Sequence, residues 1–149
     1  MTEKDDTILI RKINYNSTDY KQELELRDKV LRKPLGMSLF DDNLDADSGD
    51  VHIGAFVDNK LVGVLILTGL NQNEVKMRQV AVEEEMRSKK IGSMMVEFAE
   101  NFSRSMHYTT MLLNARKTAL GFYEKLGYEK VGIEFLEINI PHFKMRKLL

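Results

Sequence analysis

The chain has 149 residues, 43% of them hydrophobic and 30% charged, with a formal net charge of −1 and no cysteine. That is chain enough for one soluble globular domain with a real core, spanning 1–149. It gives no electrostatic reason for binding nucleic acid or an anionic membrane, no membrane span, which would need roughly 20 apolar residues, and no disulfide, thiolate metal site or cysteine nucleophile. The opening "MTEKDDTILI" is acidic and lacks the basic-then-apolar order of a signal peptide; the absence of cysteine fits a cytoplasmic protein.

In chain order, Ile8 and Ile10 alternate, Ile13 follows less cleanly, and together they predict a first strand over 7–13. Ser17 or Thr18 offers an N-cap to a helix with Tyr20, Leu24 and Leu31 at helical spacing, which Pro34 ends or stops just before. Residues 41–50, "DDNLDADSGD", read as an acidic loop. Two β-rich runs flank Asp58-Asn59-Lys60 and predict a hairpin, and "EVKMRQVAV", 74–82, is a further strand. Ile91, Met94/Met95, Phe98, Phe102 and Met106 form the apolar stripe of a long helix. A short strand over 108–115 follows, then a helix over 117–126 with Ala119, Phe122/Tyr123 and Leu126 on one face and Gly127 as C-cap. "YEKVGIEFLEI" and "HFKMRKLL" close the chain as strands. The order β-α-β-β-β-α-β-α-β-β mixes hairpins with crossover helices, so the fold class is α/β (α+β): a mixed, mostly antiparallel central sheet covered by helices.

"RSKKIGS", 87–93, puts Arg87, Lys89 and Lys90 where the long helix begins. The positive end of a helix dipole repels cations. The same cations help if an anion sits on the unsatisfied N–H groups of the first turn, so the stretch makes sense around a phosphate or pyrophosphate, with Gly92 allowing close backbone approach. The other reading is a solvated basic turn. Neither G-x-x-x-x-G-K-[ST] nor G-x-G-x-x-G occurs, so a phosphate loop here is of another kind.

"VAVEEEMRSKKIGSMMVEFAE" resembles the acetyl-CoA-binding segment of the GNAT superfamily of N-acetyltransferases, whose [QR]-x-x-G-x-[GA] pattern is met by Arg87-x-x-Lys90-x-Gly92 after Val80-Ala81-Val82, with Lys90 in place of the first glycine. "LNARKTALGFYEKLGYEKVG" is similar to a second family segment through Ala119, Phe122, Tyr123, Gly127 and Tyr128. The tail "INIPHFKMRK" and "LRDKVLRKPLG" look like small bacterial-type members of undefined substrate. The resemblance implies an acetyl-CoA-dependent N-acetyltransferase. Strands 74–82 and 108–115 would splay apart, and CoA would run along Val80, Ala81 and Val82. The pyrophosphate would rest on Arg87, Ser88, Lys89, Lys90, Ile91, Gly92 and Ser93. A primary amine of a small molecule or peptide would attack the thioester directly.

It also implies Tyr123 as the general acid that protonates the leaving thiolate, and Asn114 as a holder of water or the cofactor amide. The alternatives are core packing for Tyr123 and a polar strand end for Asn114. No base stands out: Glu74, Glu83 and His142 are candidates, each with a structural alternative. The D-x-N-x-D at 41–45 starts like a calcium loop but has Ala46 and His52 where Gly and Glu belong, so no metal site is expected. Five aspartates within 41–50 would favour a cationic acceptor if the segment lines the acceptor side; otherwise it is a mobile, solvated loop. A lysine for the motif glycine costs nothing if its backbone is right-handed. It also feeds the alternative reading, a non-catalytic CoA-binding sensor or structural module. A homodimer is compatible with all of this.

Overall fold

A computed structural model describes residues 7–149; residues 1–6 and the side chains of Ser88 and Lys89 lie outside the description, and with them part of the N-terminal and basic-turn expectations. The elements are β1 (Ile8–Ile13), α1 (Thr18–Arg27), β2 (Val51–Val57), β3 (Lys60–Gly69), β4 (Glu74–Val82), α2 (Ile91–Ser105), β5 (Thr110–Arg116), α3 (Leu120–Lys125), β6 (Glu129–Glu137) and β7 (Ile140–Leu148). This is the order expected from the sequence. Among the described residues, seven strands run in the order β1-β2-β3-β4-β5-β7-β6. β4 and β5 are parallel, whereas the β1–β2, β2–β3, β5–β7 and β6–β7 pairs are antiparallel. Among the described residues no helix is long and apolar enough to cross a membrane.

Turn chemistry sets the hairpins. Asp58 and Asn59 both take positive φ, 50° and 65°, as a two-residue hairpin turn of matching twist requires. Ile138 and Asn139 do the same between β6 and β7, at φ 46° and 60°, although Ile138 is β-branched and strained there. Ser17 caps α1 by accepting from the Tyr20 N–H. The chain then stays helical past Arg27, as a π turn over Asp28–Arg32 and a 3₁₀ turn over Lys33–Leu35 that carries Pro34 in its first positions. Pro34 therefore shapes a tight exit rather than ending an α-helix, because it needs no N–H at the start of a turn. The helix expected over 117–126 divides into a 3₁₀ turn, Lys117–Ala119, and the short α3, closed by Gly127 at φ 96°.

The chain divides into two compact units. The first runs to Leu67 and includes Gln79–Ala99; the second comprises Thr68–Arg78 and Glu100–Leu149. In the first, Ile13, Tyr20, Leu26, Phe56, Leu61, Val64 and Ala81 form a buried cluster with Leu24, Val30 and Leu31 packed against it. Gly54 is required here, since a Cβ on it would come within 2.7 Å of Ile13 Cδ1. In the second, Val75, Met77, Met111, Leu113, Tyr123 and Met145 are buried, while most of β6 is exposed.

Candidate active site

In the first unit, β4 leads into the basic turn. Gln79 breaks the strand's regularity at φ 55°; beyond it Val80 and Val82 are half-buried and Ala81 faces the core. Glu84–Lys89 form a 3₁₀ turn, and α2 begins directly after Lys90. The first helical hydrogen bond runs from the Met94 N–H to the Lys90 carbonyl at 3.1 Å. The N–H groups of Ile91, Gly92 and Ser93 therefore precede the ladder. With Arg87 and Lys90 exposed beside them, this donor set fits a pyrophosphate.

Two details correct the sequence reading of this turn. Lys90 is left-handed, φ 61° and ψ 21°, because the chain must reverse from the 3₁₀ turn into α2. Glycine takes that conformation freely; another residue is disfavoured there by roughly 1–2 kcal/mol. The lysine is thus not accommodated without cost. In addition, Arg87 Nε–H donates to the Val82 carbonyl at 3.2 Å, one of the backbone groups expected to meet the pantetheine.

In the second unit, Tyr123 is buried on α3, with its ring edge-on to Tyr128 and Phe122. Among the described residues its hydroxyl makes no hydrogen bond, and burial pushes its pKa up to about 12, so it stays protonated at neutral pH. The neighbouring Tyr128 is fully committed: its hydroxyl donates to Glu100 Oε2 at 2.8 Å, and Glu100 also pairs with Lys147. Asn114, on β5, is half-buried and donates from Nδ2 to Glu137 Oε1 at 3.2 Å. His142 Nε2 lies 3.4 Å from the other oxygen of the same carboxylate. The structure thus joins Asn114 and His142 through Glu137, which the sequence reading did not single out.

The other proposed bases serve structural ends. Glu83 is buried against Lys29 at 2.8 Å, and Glu74 accepts from Asn71 Nδ2 at 2.7 Å in the turn before β4. The acidic segment is not simply a solvated loop. Asp47 is buried, receiving Arg27 Nη1 at 2.8 Å and the Tyr20 hydroxyl at 2.6 Å. Glu23 Oε2 receives Arg27 Nη1 at 3.0 Å and lies 2.7 Å from His52 Nδ1. Asp42 pairs with Arg32, and Asp28 caps the Leu39 N–H, so Asp41 and Asp45 are the exposed acids of the segment's first half. No group of three His, Asp or Glu residues able to hold a metal occurs among the described residues.

A family model described as an acetyltransferase (GNAT) domain matches residues 18–149. The chain belongs to the GNAT acetyltransferases. It is 27% identical over 135 residues to the uncharacterized N-acetyltransferase YitI of Bacillus subtilis (strain 168), covering 84% of this chain and 89% of that protein. An acyl-CoA N-acyltransferase from Pseudomonas aeruginosa has the same fold, with a TM-score of 0.81 at 22% identity, over 95% of this chain and 99% of the other. So has a GNAT acetyltransferase from Elizabethkingia anophelis with acetyl-CoA bound, with a TM-score of 0.73 at 15% identity, over 97% and 100%. As a member of this family the chain is an acetyl-CoA-dependent acyltransferase. The GNAT motif in its basic turn was legible in the sequence. Glu137 was not, because a carboxylate on an exposed strand carries no signal until the register sets it beside a histidine. The Glu23–Arg27 spacing of four residues was a signal for the buried network, but reads equally as a surface pair.

Proposed function

We propose that this GNAT enzyme, a single catalytic domain over 1–149, moves an acetyl group to a primary amine of a small molecule or peptide by direct attack. The observation that carries the reading is Tyr123: a buried phenol, held protonated, with no partner for its hydroxyl among the described residues. That hydroxyl is not sealed among protein atoms and is left to meet a ligand, whereas Tyr128 spends its own on Glu100. Tyr123 is then the general acid that gives a proton to the departing thiolate.

The backbone of Val80, Ala81 and Val82 and the turn Arg87, Ser88, Lys89, Lys90, Ile91, Gly92 and Ser93 are assigned to holding CoA; Asn114 and Tyr123, in the second unit, are assigned to the acetyl-transfer step. When bound, acetyl-CoA supplies an activated acetyl thioester. Arg87 and Lys90 neutralise phosphate charge, and the leading N–H groups of α2 orient it. Exposed Asp41 and Asp45 favour a cationic acceptor by attraction at a distance. A cytoplasmic location is proposed on the cysteine-free composition alone. The rival reading, a CoA-binding module without chemistry, draws on one feature, the strained Lys90 where the motif has glycine.

The test joins melting curves to turnover. At about 100 times its dissociation constant a ligand adds roughly 2.7 kcal/mol, or several degrees for a domain of this size at about 2–4 °C per kcal/mol. Acetyl-CoA and CoA should give that shift and ATP much less. Thiol release with a panel of primary amines should then separate enzyme from module. Equal shifts for ATP, or CoA binding without turnover on any amine, would sink the enzyme reading.

A further inference from the structure

The outer part of the second unit's sheet carries a cluster of which the chemistry above uses only Asn114. Side chains alternate along a strand, and residues opposite one another in register share a face. Arg116 is opposite His142, Asn114 is opposite Lys144, and His142 is opposite Phe135. Asn114 and Arg116 of β5, His142 and Lys144 of β7, and Phe135 and Glu137 of β6 therefore lie on one face. Glu137 is the junction. One carboxylate oxygen accepts from Asn114 Nδ2 at 3.2 Å and the other faces His142 Nε2 at 3.4 Å.

The tautomer of His142 follows from its other nitrogen. Nδ1 lies 2.7 Å from the Ile140 carbonyl, which can only accept, so Nδ1 carries a proton. A neutral ring then aims a lone pair from Nε2 at an ionised carboxylate, two acceptors face to face. One further proton between Nε2 and Oε2 removes the conflict. Nε2 and Oε2, 3.4 Å apart, can therefore share a proton that a ligand delivers to Glu137. The two halves of the pair differ in access: the His142 side chain is 4% exposed, the Glu137 side chain 47%. A proton must therefore enter through Glu137 and can be held behind it by His142, whose ring is stacked on Phe135.

The surroundings fit an amine carrying a short apolar stem. A hollow of about 340 Å³ is lined by Lys117, Thr118, Ile140 and Pro141. Ile140 is the register partner of Glu137, and Pro141 directly precedes His142. The cation at the rim, Lys117, is paired with Glu134 at 3.1 Å. Arg116 and Lys144 are the other charged groups facing the cluster, from β5 and β7. The turn joining Glu137 to Ile140 contains Ile138 in its strained left-handed conformation, and strain of this kind gathers at working sites.

We propose that Glu137 meets the acceptor amine and takes its proton, with His142 and Asn114 as the residues that position and back it. This rests on the N-acetyltransferase reading. The acceptor's ammonium gives one proton to the Glu137–His142 pair. The freed lone pair forms the new C–N bond as the thioester C–S bond of the acetyl donor breaks, with the electron pair leaving on sulfur. The second amine proton restores Tyr123 after it has protonated the sulfur. The pair then releases its proton to solvent, so ammonium plus thioester become amide, thiol and one proton.

The chain has three histidines, so ¹⁵N imidazole spectra of the full-length protein are assignable with a His142→Gln variant. n-Hexylammonium should move the His142 Nε2 resonance; 1-hexanol at the same concentration should not; in Glu137→Gln neither should. In kinetics Glu137→Gln should lower kcat/KM for the amine by about 10²–10⁴-fold and flatten the acidic limb of its pH profile, with KM for acetyl-CoA unchanged. His142→Gln should displace that limb rather than abolish turnover, which loss of a packing residue would not do. Glu137→Asp, one methylene shorter, should recover part of the rate. A silent resonance with hexylammonium, or an equal response to hexanol, overturns the proposal. So does a Glu137→Gln enzyme within threefold of wild type. A resonance that responds in a protein showing no turnover on any amine would leave this site standing and fail the enzyme reading instead.

Discussion

Among the described residues two histidine–carboxylate pairs stand out, and they have opposite fates. In the first unit, His52 sits 2.7 Å from Glu23 with its other nitrogen bonded to the Asp47 carbonyl, and the side chains of both His52 and Glu23 are 1% exposed or less. Arg27, Asp47 and Tyr20 complete the arrangement, so that two cations balance two anions when His52 is charged. In the second unit, His142 and Glu137 stand 3.4 Å apart and the carboxylate is open to water. The first pair has no route for a ligand and serves the fold, holding the acidic segment to α1. The second has a route, and we assign it chemistry. Solvent access to the carboxylate, more than residue type, separates a structural pair from a working one.

The sharpest way to break the sealed side is Arg27→Met. It removes the cation shared by Glu23 and Asp47 and leaves buried negative charge, which costs about 3–5 kcal/mol. At about 2–4 °C per kcal/mol the melting temperature should fall by roughly 6–20 °C, whereas Glu137→Gln on the open side should melt within a degree or two of wild type. Similar losses in both variants would erase the distinction.

Tyr123→Phe comes next. Tyr123 is buried, though less completely than the sealed network, and its hydroxyl has no partner among the described residues, so it belongs functionally with the open side. We expect kcat to fall about 10²-fold, at the low end for acid catalysis and near 2.7 kcal/mol of barrier, because a water partly substitutes. KM for acetyl-CoA and the melting temperature should barely move. A kcat within threefold of wild type would return Tyr123 to core packing.

A pH series tests the sealed pair without mutation. Burial pushes the His52 pKa down, but the hydrogen bond and charge of Glu23 outweigh it, and the net direction is up. A raised folded-state value means stability fully present below the unfolded value of about 6.5 and lost as pH rises through the folded one. For Asp47, burial is outweighed by its bonds from Arg27 and Tyr20 and the net direction is down. Its contribution is present above about 3.9 and disappears on strong acidification. Melting temperature should therefore decline on the alkaline side, and His52→Gln should flatten that limb. An unchanged slope in the variant would mean His52 is neutral in the fold.

How much of this the sequence disclosed varies by region for physical reasons. The order of elements along the chain, Ser17 as N-cap, Gly127 at the end of α3 and the basic turn before α2 are local features, written in spacing and capping residues. The buried face of α1 was misjudged. Tyr20 is buried as expected, but Leu24 is only half-buried while Glu23 and Arg27 go inside. Charged residues read as surface unless their partners are known, and Asp47 and His52 come from distant chain. Glu137 escaped for the same reason, since it needs the β5–β7–β6 register to meet Asn114 and His142.

The smallest expected effect concerns Lys90, where strain and function meet in one residue. Its left-handed backbone costs about 1–2 kcal/mol relative to glycine, while glycine loses about 0.5–1 kcal/mol more in conformational freedom on folding. Lys90→Gly should thus be neutral or more stable by up to about 1.5 kcal/mol, a rise of no more than about 6 °C. If the side chain answers phosphate charge, the same variant should bind CoA more weakly by a few tenths to about 1 kcal/mol, the scale of a single charge at a helix end, or up to about fivefold. The difference should narrow in high salt, where exposed charges are screened beyond about 8–10 Å. Calorimetric titration of CoA at two salt concentrations, beside a melting curve, reads both. A variant that is more stable and binds CoA more tightly would show that the lysine does nothing for the ligand and merely strains the turn. A variant that is more stable but binds more weakly would show that the strain is kept for the ligand's sake.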